Sequence, residues 1–172
     1  MSKHHRNRNW APAPQPLPED AHVIDNHTHI ASVVPFSQAM SHEAMEKGQG
    51  EVPVYSVDEL LKQAQKVGVE GVIDCGCELP NLMTAIDMAR EHPGTVHAAI
   101  AIHPNEAVLH GHRGAPGPDG LPIKYKPWHD NPFDEPMAEV HRLATTYPNQ
   151  VVAIGETGMD LFRTGESAKE LQ

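Results

Sequence analysis

His22-Val23-Ile24-Asp25-Asn26-His27-Thr28-His29 starts apolar and finishes on imidazoles. That is the pattern of a short buried strand whose tip turns polar. The period of two along a strand sends the rings of His27 and His29 to one side. Two neutral imidazoles side by side are a natural ligand pair for zinc or a related divalent ion.

Outward from this stretch, residues 31–55 carry Pro35, Pro53, Gly48, Gly50 and scattered methionines without firm periodicity. A long loop is predicted, with a helical turn around residues 41–47. Residues 56–67 place Val57, Leu60, Leu61, Ala64 and Val67 at helical spacing, and Ser56 followed by Glu59 reads as a capping box. Residues 71–76 form a second short apolar strand. Residues 80–91 form a second helix through Leu82, Ala85, Ile86 and Ala89, stopped by His92-Pro93-Gly94. Residues 96–102 give a third strand that runs into His103 and Pro104. Residues 106–132, rich in Gly, Pro, His and Asp, are too long for an ordinary βα connection. A third helix at 133–147 shows Met137, Val140, Leu143 and Ala144 on one face. The fourth strand, 151–154, ends in Gly155 and Glu156, and residues 165–172 begin another helix.

Four strands alternating with helices predict an α/β fold with a parallel sheet and right-handed crossovers. A doubly wound sheet and a (β/α)8 barrel both satisfy that alternation, and the polar residues choose between them. His27 and His29 follow the first strand, Cys75 the second, His103 the third and Glu156 the fourth. A TIM-type barrel builds its sites at the C-terminal ends of many strands and needs about 250 residues. The expectation is therefore parallel (β/α) units forming the first half of such a barrel over residues 21–172. Residues 1–20, with Lys3, Arg6, Arg8 and prolines at 12, 14, 16 and 18, read as a disordered, solvated tail without the apolar run of a signal peptide.

The formal net charge of -10 excludes a surface that grips nucleic acid by general electrostatics, which requires clustered Lys and Arg. Contact with nucleic acid is expected to be local or metal-mediated. Cys75 and Cys77, one residue apart, cannot build a disulfide framework, and they read as buried, inert thiols in a cytoplasmic protein. No stretch reaches the length of a membrane span. Of the 13 histidines, strand-end position singles out His27, His29 and His103. Glu156 opens onto the same end of the sheet, where a carboxylate can bridge two metals as in two-metal hydrolases. His103, set before the chain-restricting Pro104, is expected to contact substrate or phosphate.

Three segments in fixed order, Val23-Ile24-Asp25-Asn26-His27-Thr28-His29, Ile102-His103-Pro104 and Ala153-Ile154-Gly155-Glu156-Thr157-Gly158-Met159-Asp160, together resemble the TatD family of the amidohydrolase superfamily. Met159 stands where the family usually has Leu, and residues 31–55 and 106–132 look like insertions. The resemblance implies a barrel that binds two divalent ions (Zn, Mg or Mn) and hydrolyses DNA phosphodiester bonds as a deoxyribonuclease. It further implies that His27 and His29 bind one metal, that Glu156 bridges both and acts in catalysis, and that His103 lies by the substrate phosphate. Two further histidines and a late aspartate expected from later strands have no counterpart in these 172 residues, so the chain alone is expected to be inactive and prone to self-association. Two alternatives stand beside this reading: an amidohydrolase cleaving amide, ester or lactone bonds, and a non-catalytic fragment.

Overall fold

The computed structural model describes residues 15–49, 52–111, 125–160 and 166–172. Residues 1–14 of the expected tail, and 112–124 of the second expected insertion, lie outside the described residues. Within 15–20, the Leu17 N–H donates to the Val67 carbonyl.

Four strands, β1 (Val23–Thr28), β2 (Val69–Gly76), β3 (Val96–Ile100) and β4 (Val151–Ile154), form one sheet in the order β1-β2-β3-β4. All three pairings are parallel. Spatial order that follows chain order, without reversal, is the winding of a barrel wall. A doubly wound sheet instead changes direction at a switch point. The sheet is thus the first half of a TIM-type arrangement, as the alternation together with the polar strand ends predicted.

Helices carry each crossover: α1 (Ile30–Glu46) and α2 (Val57–Lys66) between β1 and β2, α3 (Leu79–Glu91) between β2 and β3, and α4 (Pro104–Ala107) and α5 (Asp134–Thr146) between β3 and β4. Short 3-10 turns occupy Pro127–Asp130 and Glu166–Leu171. Val72, Val96, Ala98 and Ile100 of the sheet pack against Leu82, Ala85, Ile86 and Ala89 of α3 and Val140 and Leu143 of α5. Leu82 and Ile86 are fully buried, each contributing roughly 1.5–3 kcal/mol of transfer free energy. Gly76 permits the close approach of α3, since a Cβ there would lie 2.8 Å from the Asn81 carbonyl.

The predicted loop over 31–55 is corrected: its first half is the 17-residue α1. Its buried positions are Ile30, Ser37, Ser41 and Ala44, which follow helical spacing but are mostly small or polar. Phe36 and Met45 meanwhile face solvent. The apolar pattern therefore conceals the buried face. Pro35 lies inside the helix, and the N-cap, His29, makes no side-chain cap bond. The helix start is capped from elsewhere: the buried Asp74 carboxylate on β2 accepts from the Ala31 N–H at 3.5 Å.

Candidate metal centre

The C-terminal ends of the strands converge on a cleft of about 550 Å3 lined by His27, His29, Cys77, Glu78, His103, Asn105, Glu106, Glu156 and Asp160. Backbone bonds prolong the sheet beyond the last regular pairs of β2, β3 and β4. The Ala101 N–H donates to Gly76 O, His103 N–H to Cys77 O, and Gly155 N–H to Ile100 O.

The structure brings His27, His29 and Glu156 together, with their ligating atoms all within 4.8 Å of one another. Glu156 Oε1 lies 3.2 Å from His27 Nε2 and 3.4 Å from His29 Nε2. The two rings stand edge to face, 5.4 Å between centroids. His103 joins from the other side, its Nε2 3.4 Å from Glu156 Oε2. One carboxylate thus stands between the His27–His29 pair and His103.

Hydrogen bonds assign the state of His29. Its Nδ1 lies 3.1 Å from the Cys75 carbonyl, which only accepts, so in the neutral ring Nδ1 carries the proton and Nε2 is a bare lone pair. That lone pair faces a carboxylate oxygen. Acceptor against acceptor at this distance is relieved by a cation between them or by a second proton on the ring, and a ligating histidine held by a backbone carbonyl on its other nitrogen is the usual support for a metal. The donor set of two imidazoles and a carboxylate suits zinc or a similar divalent ion. The residues fit the group that the sequence led us to expect.

The reading of both cysteines as buried holds for Cys75 and is corrected for Cys77. Cys77 is half-buried in the cleft and donates its thiol to Glu156 Oε1 at 3.2 Å. Burial, and next the bond to Glu156, push this thiol up to about 12. It is a neutral donor there, not a nucleophile. Sequence reasoning also passed over Glu78, Asn105 and Glu106 as cleft residues. Their signal was position, since each lies within a few residues of a strand's C-terminal end.

Glu78, Glu106, Glu156 and Asp160 make the wall acidic, and no Lys or Arg lines it among the described residues. Lys126 sits nearby but is paired with Glu78 at 2.6 Å and rests over the Trp128 ring. Among the described residues no helix is long and apolar enough to cross a membrane.

Parallel (β/α) units with a His, His, Glu cluster at the C-terminal strand ends define the class: an α/β chain of the TIM-barrel type with a candidate metal site at the strand ends. Residues 24–172 match the family described as TatD related DNase, and the chain belongs to that family, which is generally metal-dependent. Among curated proteins it is similar to the 3'-5' ssDNA/RNA exonuclease TatD of Erwinia tasmaniensis, with 28% identity over 106 residues. That alignment covers 62% of this chain and 32% of the relative, so the chain spans about a third of the length of the curated relative it matches.

Proposed function

We propose that this chain provides the first half of a two-metal deoxyribonuclease site, in which His27 and His29 hold one divalent ion, Glu156 bridges two, and His103 contacts the scissile phosphate. The observation that carries the reading is the position of Glu156, one oxygen toward His27 and His29 and the other toward His103. A phosphodiester is an anion, and the four carboxylates of the cleft would repel it unless cations intervene. The acidic wall therefore supports a metal-loaded site. When bound, divalent ions at such a site supply charge neutralisation at the phosphoryl oxygens and a water of lowered pKa.

The chain's own residues do the rest. His29, held by the Cys75 carbonyl, presents Nε2 in a fixed orientation, and His27 adds a second imidazole at the same mouth. The Cys77 thiol steadies one Glu156 oxygen. His103 directs Nε2 into the cleft, where it can donate to a non-bridging phosphate oxygen. The similarity to the 3'-5' ssDNA/RNA exonuclease TatD of Erwinia tasmaniensis supports DNA ends as the substrate class.

Replacing Glu156 with Gln tests this directly. The amide keeps the shape but cannot offset the charge of two close cations. Because even supporting residues of a metal ligand are worth 10–100-fold in affinity, the Glu156→Gln change should weaken Mn2+ or Zn2+ binding by about 100-fold. Nuclease activity should vanish in any form of the protein that shows it. Calorimetric titration and a DNA-degradation assay check the two parts; affinity and activity within a few fold of the parent would reduce Glu156 to a turn residue.

A further inference from the structure

We infer that Asn105 and Asp160 are positioning residues that lock the His103 ring as a hydrogen-bond donor, with its proton on Nε2. The inference rests on the proposed role of His103 at the substrate phosphate and deepens it.

His103 Nδ1 accepts from the Asn105 backbone N–H at 3.1 Å. A neutral imidazole has one acceptor and one donor nitrogen, so Nε2 carries the proton. That Nε2 is the atom facing Glu156 Oε2 at 3.4 Å, and it opens on the cleft. His29 is wired the opposite way, its Nδ1 donating to the Cys75 carbonyl. Two histidines of one cleft are thus held in opposite tautomers by backbone partners. The bare Nε2 of His29 suits a cation, and the protonated Nε2 of His103 suits an anionic oxygen.

The first turn of α4, whose Glu106 and Ala107 N–H groups both donate to the His103 carbonyl, holds the Asn105 N–H locally, and a bond across the sheet's end ties that turn to the loop after β4. The Asn105 Nδ2 donates to Asp160 Oδ2 at 2.7 Å, joining residues 55 apart in sequence. One belongs to α4, which follows β3, the other to the loop after β4. Pro104 stiffens the link between His103 and Asn105. With Asp160 removed, α4 loses this bond to the loop after β4, and the His103 ring gains freedom to flip or shift its proton. A bare Nε2 would then meet phosphate oxygens acceptor to acceptor.

The tautomers can be read on the 172-residue chain by long-range 15N–1H NMR of the histidine rings, at a pH where they are neutral and without added metal. The parent should show His103 protonated on Nε2 and His29 on Nδ1. Asp160→Ala and Asn105→Ala should each lose the single-tautomer signature of His103 and leave that of His29 unchanged. Asp160→Asn, whose amide oxygen can still accept from Asn105, should retain it. A parent His103 protonated on Nδ1 overturns the inference before any variant is made. So does an Asp160→Ala protein, folded by its amide spectrum, with the His103 signature intact. No nuclease assay enters the readout, so failure of the proposed function and failure of this inference are separately visible.

Discussion

His29 has two nitrogens with opposite tasks, and its neighbours assign them: the Cys75 carbonyl takes the Nδ1 proton, leaving Nε2 to face Glu156 at 3.4 Å. With His27, it makes up the nitrogen half of the cluster. Changing both residues to Ala should abolish stoichiometric divalent binding, measured by elemental analysis after metal loading and desalting. Both rings are about half exposed, and the one lost bond to Cys75 is worth about 1 kcal/mol, so the circular dichroism spectrum should be preserved. Undiminished metal content would sink the assignment. Asp74 gives a second residue-scale expectation. Burial raises its carboxyl above the ordinary range, opposed by the backbone N–H groups of Ala31 and Ile30. A raised carboxyl favours the folded state fully below the unfolded pKa, and that contribution is lost as pH rises through the folded value. Asp74→Asn keeps an acceptor for α1 without the charge. Its stability relative to the parent should therefore improve as pH rises from the acid range to neutrality, as read from urea midpoints. A pH-independent difference would contradict this.

At the scale of elements, α1 and α2 show two ways of starting a helix. Ser56 and Glu59 cap α2 from within the local sequence: Ser56 Oγ accepts from the Glu59 N–H at 3.3 Å, and Glu59 Oε2 accepts from the Ser56 N–H at 2.8 Å. Loss of such a cap costs about 1 kcal/mol. Ser56→Ala should lower the urea-unfolding free energy by about that much, while divalent affinity stays unchanged because α2 does not line the cleft. A change below the measurement error would show that the cap is redundant. The α1 start instead depends on Asp74, distant in sequence, and so no local signal announced it.

For the whole molecule, the outer strands decide behaviour. Ile24 on β1 and Val152 and Ile154 on β4 are each more than half exposed, and among the described residues β1 and β4 each pair on one side only. Unpaired edges that carry apolar side chains invite association. Residues 1–172 taken by themselves should associate with rising concentration in size-exclusion chromatography with light scattering. They should also show no Mg2+- or Mn2+-dependent exonuclease activity, since among the described residues the cluster offers three ligating side chains. A stable monomer that degrades DNA would refute both expectations.

Alternation of apolar strands with amphipathic helices was legible in the sequence because burial on a sheet or a helix leaves a period in the chain, and the parallel pairing of the strands followed from the helices that alternate with them. Strand-end position likewise marked His27, His29, His103 and Glu156, since the tip of a barrel strand is where buried chain meets the cleft. Two features were legible only in three dimensions. Beyond Ile30, the buried face of α1 is made of Ser37, Ser41 and Ala44, whose small side chains carry little hydrophobic signature. The wiring of the site, in which Cys75, Cys77, Asn105 and Asp160 set the direction of each polar group, joins residues tens of positions apart. Hydrogen bonds of that reach leave no period in a sequence, and only the packing of four strand ends side by side decides them.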